Sequence, residues 1–182
     1  PDSPRELCQR LSNLHKGGNL KKMEEYIFSL VGEALCESQF EPIGFDSDFG
    51  IDGIDSGVIS SIHEIKFKLL ESPNLIFKPV DSSNDFFVIA SELTLEADIN
   101  FYFSFFASDS EGDFSIGSSS RTIRSLLDVD VLIYFTDSFE EVKPKIGEDD
   151  FSLQIDYIEA EVKNRNIEVG YVAPDWIGMD DE

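Results

Sequence analysis

Asp46, Asp48, Asp52 and Asp55 place four carboxylates within ten residues, separated by Gly50 and Gly53. Several oxygen ligands on a flexible loop are what a hard divalent cation needs. The calcium-loop pattern does not follow, however. Counted from Asp46, its fifth position is Gly50, its glycine position is Ile51, and its twelfth position carries no Glu. Phe45, Phe49, Ile51 and Ile54 alternate with the acids and read as anchors to a core. The preferred expectation is a solvated, turn-rich loop, with Asp46, Asp48 and Asp52 as the set that would hold a divalent cation. A second group is Ser118, Ser119, Arg121 and Arg124. Small residues after Gly117 can turn backbone N–H groups toward an anion, and the two arginines add charge. No Gly-Lys-Ser/Thr follows, so the phosphate-loop pattern is absent. The plainer expectation is a hairpin connection whose arginines pair with nearby carboxylates. A third group is Glu96, Asp98, Asp128 and Asp130, on the polar parity of two alternating runs. If those runs pair in a suitable register, the sheet carries a carboxylate cluster that needs a cation or a basic partner, because like charges directly opposed are destabilising. His63 with Ser60 or Ser61 and an Asp supplies the residue types of a nucleophilic relay. There is no Gly-x-Ser-x-Gly elbow, so a surface histidine is the expectation.

The charge balance narrows the classes. Thirty-seven Asp and Glu face fourteen Lys and Arg, for a net charge of -23. Such a chain repels a phosphate backbone, so direct nucleic-acid binding is not expected and a basic protein partner is. Two cysteines, Cys8 and Cys36, make neither a disulfide framework nor, with two histidines, a zinc site. The expected setting is a reducing one, the cytoplasm. No apolar run reaches the roughly 18 to 20 residues of a membrane helix, and no signal-peptide pattern is seen. The chain starts at Pro1, which reads as a piece of a longer protein.

The positioning elements follow from periodicity. Ser3-Pro4-Arg5-Glu6 is a capping box with proline at the first helical position. Leu7, Leu11 and Leu14 recur at helical spacing until Gly17-Gly18. Met23, Ile27, Leu30, Val31, Ala34 and Leu35 form a second apolar stripe, capped by Asn19. From about Ser60 the period becomes two. Ile65, Phe67 and Leu69 alternate with charged residues, and turns are expected at 72–74 and 81–84. A long run from Phe87 to Phe105 keeps its apolar residues on one parity. Residues 107–121 read as a polar connection. A second run holds Leu127 to Phe135. A third starts at Phe151 and switches parity near Tyr157, which predicts a bulge. Ile167, Val169 and Tyr171 make a last strand, and Trp176 is expected to pack back on a sheet edge. The expected fold class is α+β: a helical hairpin over 1–40, an Asp/Gly-rich connecting loop over 41–59, and an antiparallel, meander-like sheet of five to seven strands over 60–182.

The stretch Glu92 to Ile99, then Asp109-Ser110-Glu111, Ser115-Ile116-Gly117 and Asp128-Val129-Asp130-Val131, resembles the acidic β-rich region that follows the nuclease domain in some bacterial PIN-like proteins. The resemblance covers about residues 85–136. It implies that the metal-binding carboxylates of the nuclease lie in a separate upstream domain, and no catalytic residue carries over. The first functional expectation is therefore a non-catalytic accessory or interaction domain of a larger intracellular, nuclease-type protein, with Glu96, Asp98, Asp128 and Asp130 as partner-binding residues. The alternatives are a free-standing acidic immunity protein or nucleic-acid mimic that binds a basic target, and a metal-dependent hydrolase.

Overall fold

The computed structural model describes residues 3–70, 74–82, 86–148 and 151–179. The expected turn residues Ser72, Pro73, Ser83 and Asn84 lie outside them. Helix α1 (Pro4–Lys16) begins as its sequence dictates: the Ser3 side chain accepts from the Glu6 N–H, and Pro4 occupies the first turn. Helix α2 (Lys21–Leu35) is preceded by Leu20, not Asn19, at its cap, with no side-chain hydrogen bond there. Among the described residues seven strands follow: β1 (Glu41–Asp46), β2 (Gly50–Phe67), β3 (Phe77–Asp81), β4 (Val88–Asp109), β5 (Gly112–Phe135), β6 (Ile155–Val162) and β7 (Asn166–Tyr171). A short helix α3 (Phe139–Val142) lies between β5 and β6. The fold is α+β with a mostly antiparallel five-stranded sheet in the order β2-β4-β5-β6, β3 pairing with β4.

The period-two reading of β4 holds from Ile89 to Phe106. Leu93, Leu95, Ala97, Ile99, Phe101, Phe103 and Phe105 are all buried, while the even-numbered residues from Ala90 to Phe106 are partly or fully exposed. In β5 the buried hydrophobic set is Leu127, Val129, Val131, Ile133 and Phe135. The parity switch near Tyr157 is also present. Tyr134 pairs with Tyr157 but Phe135 with Ile155, so Asp156 is the extra residue of a bulge. Phe151–Gln154 forms a 3₁₀ turn, so that strand starts later than its alternation predicts.

Two segments expected to be loops are strands. Residues 41–59 hold β1 and the start of β2, and their glycines serve close packing. A Cβ at Gly57 would stand 2.4 Å from the buried ring of Phe101, one at Gly53 2.4 Å from the Ser104 hydroxyl, and one at Gly50 2.6 Å from the Phe106 ring. Residues 112–121 belong to β5, and the connection shrinks to Ser110 and Glu111. There the Asp109 carboxylate accepts from the Glu111 N–H at 2.8 Å, and Gly112 takes a φ of +126°. The meander expectation also fails for the strand pair β1–β7, which is parallel and joins segments from opposite ends of the chain.

Cα packing divides the chain into two units: Pro1–Cys36, Glu64–Leu95 and Leu127–Lys163 in the first, and Glu37–His63, Glu96–Leu126 and Asn164–Glu182 in the second. The long strands β2, β4 and β5 therefore contribute residues to both. In the first unit α1 packs against β3 and α2 against β6. Their buried stripes are Leu7, Cys8 and Leu11, and Met23, Ile27, Val31 and Leu35. In the second unit, rings from β1 and the following turn cover the odd-numbered face of β4. Phe45 meets Phe103 and Phe49 meets Phe105, with ring centroids 5.7 and 6.3 Å apart.

Candidate protein-interaction surface

The even-numbered positions of β4 point away from that aromatic core, and this places Glu96 and Asp98 on the solvent side of the second unit. His63 of β2 and Arg124 of β5 flank them. His63 Nε2 lies 2.8 Å from Asp98 Oδ2, Arg124 Nε donates to Asp98 Oδ1 at 3.2 Å, and an Arg124 nitrogen stands 3.7 Å from Glu96. Ser61 Oγ donates to the same Asp98 carboxylate at 3.2 Å. The hydrogen bond from His63 is the largest cause holding the Asp98 carboxyl below its ordinary value. Bonds from Arg124 and Ser61 add to it against partial desolvation.

Ser61, His63 and Asp98 thus do meet, but not as a relay. A Ser-His-Asp system needs the serine on one ring nitrogen and the carboxylate on the other. Here Ser61 Oγ, at 3.2 Å, and Asp98 both address Nε2, and the Arg124 guanidinium stands 3.0 Å from it as well. One nitrogen offers one proton or one lone pair, so the three groups compete for it.

Asp128 and Asp130 belong to the first unit and have partners there. Lys163 donates to Glu92 at 3.2 Å and lies 3.4 Å from Asp130, while Lys68 pairs with Asp128. The Glu92 hydrogen bond, foremost, raises the pKa of the Lys163 amine and holds it as ammonium. The four expected contact carboxylates therefore fall into two groups, one per unit, each with cations from this same chain. His63, Lys68 and Lys163 are the partners that sequence reasoning missed. Their signal was scarcity, since few cations are available to so many acids.

The other two expected groups are not assembled. Ser118 and Ser119 are successive residues of an extended strand, the first exposed and the second buried, so their N–H groups do not converge as an anion nest requires. Arg121 shares that strand, and Arg124 is engaged by Asp98. Asp46 ends β1 and Asp52 lies within β2. Asp48, in the turn between them, accepts from the Tyr171 hydroxyl at 3.1 Å. Among the described residues no group of three or more His, Cys, Asp or Glu side chains is placed to hold a metal.

What the second unit does present is acid together with exposed rings. Its described residues include thirteen Asp and Glu against three arginines and no lysine. Among the described residues the same unit holds nine of the fourteen exposed large hydrophobic side chains, including Tyr102, Phe114 and Trp176. Trp176 packs back on β5 as expected. Its indole N–H donates to the Ile116 carbonyl at 2.6 Å, and Gly117 leaves room for it. Tyr102 is 52 % exposed although it stands in a strand whose opposite face is buried from Ile89 to Phe105. An aromatic ring on the polar parity of an alternating strand was the sequence signal for this surface. Comparison with known protein families, curated proteins and solved structures gave no match.

Proposed function

We propose that the chain is a non-catalytic interaction domain whose second unit binds a basic protein surface. The observation that carries this reading is the coincidence, among the described residues of one unit, of thirteen carboxylates opposed by three arginines with nine exposed large hydrophobic side chains. Aromatic residues are enriched in protein interfaces and supply their anchors. Complementary charge steers the encounter and selects the partner. In the setting that the resemblance to PIN-like proteins implies, the domain is the accessory part of a larger cytoplasmic nuclease-type protein and positions or restrains it through such a contact.

The test is a titration of the chain with a labelled arginine-rich peptide, and separately with duplex DNA, over a range of salt. The peptide binds, its affinity falls as salt rises, and the DNA does not bind. Absence of peptide binding at low salt overturns the proposal. The same charge density favours a second reading, a free-standing acidic protein that occupies the nucleic-acid site of a basic target. That reading requires the chain to displace DNA from a basic DNA-binding protein. The accessory reading instead requires contact with a covalently linked neighbour.

A further inference from the structure

We infer that the open face of β2, β4 and β5 in the second unit takes an extended, arginine-bearing protein segment, with one guanidinium in each of two clefts. The inference rests on the interaction-domain reading and names its occupant. The first cleft, about 200 Å³, is bounded by Asp55 of β2, Tyr102 and Ser104 of β4, and Ser118 of β5. The second, about 140 Å³, is bounded by Asp52 of β2, Phe106 of β4, and Asp113 and Phe114 of β5. Both are smaller than the roughly 300 to 1,000 Å³ of a small-molecule site. Their size suits single long side chains.

Each cleft combines an exposed ring with carboxylate. Tyr102 is 52 % and Phe114 48 % exposed, and Asp52, Asp55 and Asp113 are exposed beside them. Among the described residues no side chain pairs with Asp52 or Asp55, whereas Asp98 and Glu96 on the same face already hold Arg124. The clefts are thus the part of the acidic face whose charge is left for a partner. The glycines of β2 shape them. A Cβ at Gly50 would collide with the Phe106 ring and one at Gly53 with the Ser104 hydroxyl, so the two glycines let those side chains come close to β2.

A planar guanidinium fits this pairing. It stacks on an aromatic face while its edge donates two hydrogen bonds to a carboxylate, which a lysine ammonium cannot do. Tyr102 and Phe106 are four residues apart on β4, or ~13 Å at ~3.3 Å per residue. An extended segment with arginines four positions apart presents both to the same face, in step with the clefts.

The test uses the full chain and a synthetic peptide with arginines at its first and fifth positions, separated by β-branched and small polar residues. Parallel peptides carry lysine or citrulline at those positions, or arginines at the first and fourth. The arginine peptide binds best, lysine and the shifted register weaken it, and citrulline abolishes it. Tyr102→Ala and Phe114→Ala each weaken binding about two- to fivefold, the range of an exposed cation–π contact. Asp52→Asn with Asp55→Asn weakens it further. These half-exposed positions leave the fold intact, which circular dichroism checks. If the arginine peptide binds but none of these variants changes its affinity, the clefts are not its site and the inference falls, while the interaction-domain reading survives. If lysine and arginine peptides bind alike in either register, the surface recognises charge alone and the inference again falls. If no basic peptide binds the wild type, both readings fall together.

Discussion

Ser12 sits in the middle of α1 with 1 % of its surface exposed and holds a segment far away in sequence. Its hydroxyl donates to the Cys8 carbonyl at 2.8 Å and accepts from the Ile76 N–H at 2.8 Å and the Phe77 N–H at 3.4 Å. Ser91 then donates to the Ile76 carbonyl at 3.0 Å. Two buried serines therefore satisfy both backbone groups of Ile76, a residue just outside β3. Replacing Ser12 by Ala removes the acceptor, leaves the buried Ile76 N–H without a partner and ends the longer contact from the Phe77 N–H. The Cys8 carbonyl keeps its helical bond, so the stranded Ile76 donor, the closer of the two, is the main loss. Such a group costs about 1–3 kcal/mol. Ser91→Ala strands a carbonyl, which tolerates under-satisfaction better, and costs about 0.5–1.5 kcal/mol. Urea unfolding followed by far-ultraviolet circular dichroism measures both losses. Amide exchange locates the first: the Ile76 proton exchanges roughly five- to 150-fold faster in Ser12→Ala, the factor that ~1–3 kcal/mol represents. If Ser12→Ala shifts stability by less than ~0.3 kcal/mol, or if Ser91→Ala costs more than Ser12→Ala, the accounting of Ile76 is wrong.

Asp98 makes stability depend on pH with a definite sign. Its folded pKa lies below the ordinary 3.8, so its contribution is fully present above that value and disappears as pH falls through the folded one. The stability gap between wild type and Asp98→Asn is accordingly level above about pH 5 and closes in more acidic buffer, as urea midpoints measured across that range check. A gap that widens on acidification would contradict the His63 and Arg124 contacts. Cys8 is buried and its thiol is pushed up to about 12 by desolvation, whereas Cys36 is exposed. Iodoacetamide near neutral pH should modify one thiol in the native chain and two in denaturant, and peptide mapping should find the first label on Cys36. Gly57→Ala forces a methyl against the buried Phe101 ring and should cost about 1–3 kcal/mol. Gly53→Ala meets only a hydroxyl that can rotate, and a thermal melt should show the smaller loss there.

How much was legible depends on which interactions carry the pattern. The capping box at Ser3, the helical stripes of α1 and α2, and the single buried parity of β4 are local consequences of burying one face, and each is written in spacing alone. The bulge at Asp156 was legible for the same reason, because slipping one residue exchanges the two faces of a strand. Composition likewise dictates a strongly anionic chain. The tertiary structure decided what glycine and aspartate were for. Gly50, Gly53 and Gly57 read as turn residues until Phe106, Ser104 and Phe101 are seen crossing them. It also decided which carboxylates are spent. Asp98 and Asp130 are neutralised by Arg124 and Lys163, residues 26 and 33 positions away that only strand pairing brings near. Asp52 and Asp55, set beside Phe114 and Tyr102, have no side-chain partner among the described residues. Charge is additive along a sequence, but pairing is a matter of distance, and distances between strands are set by the fold.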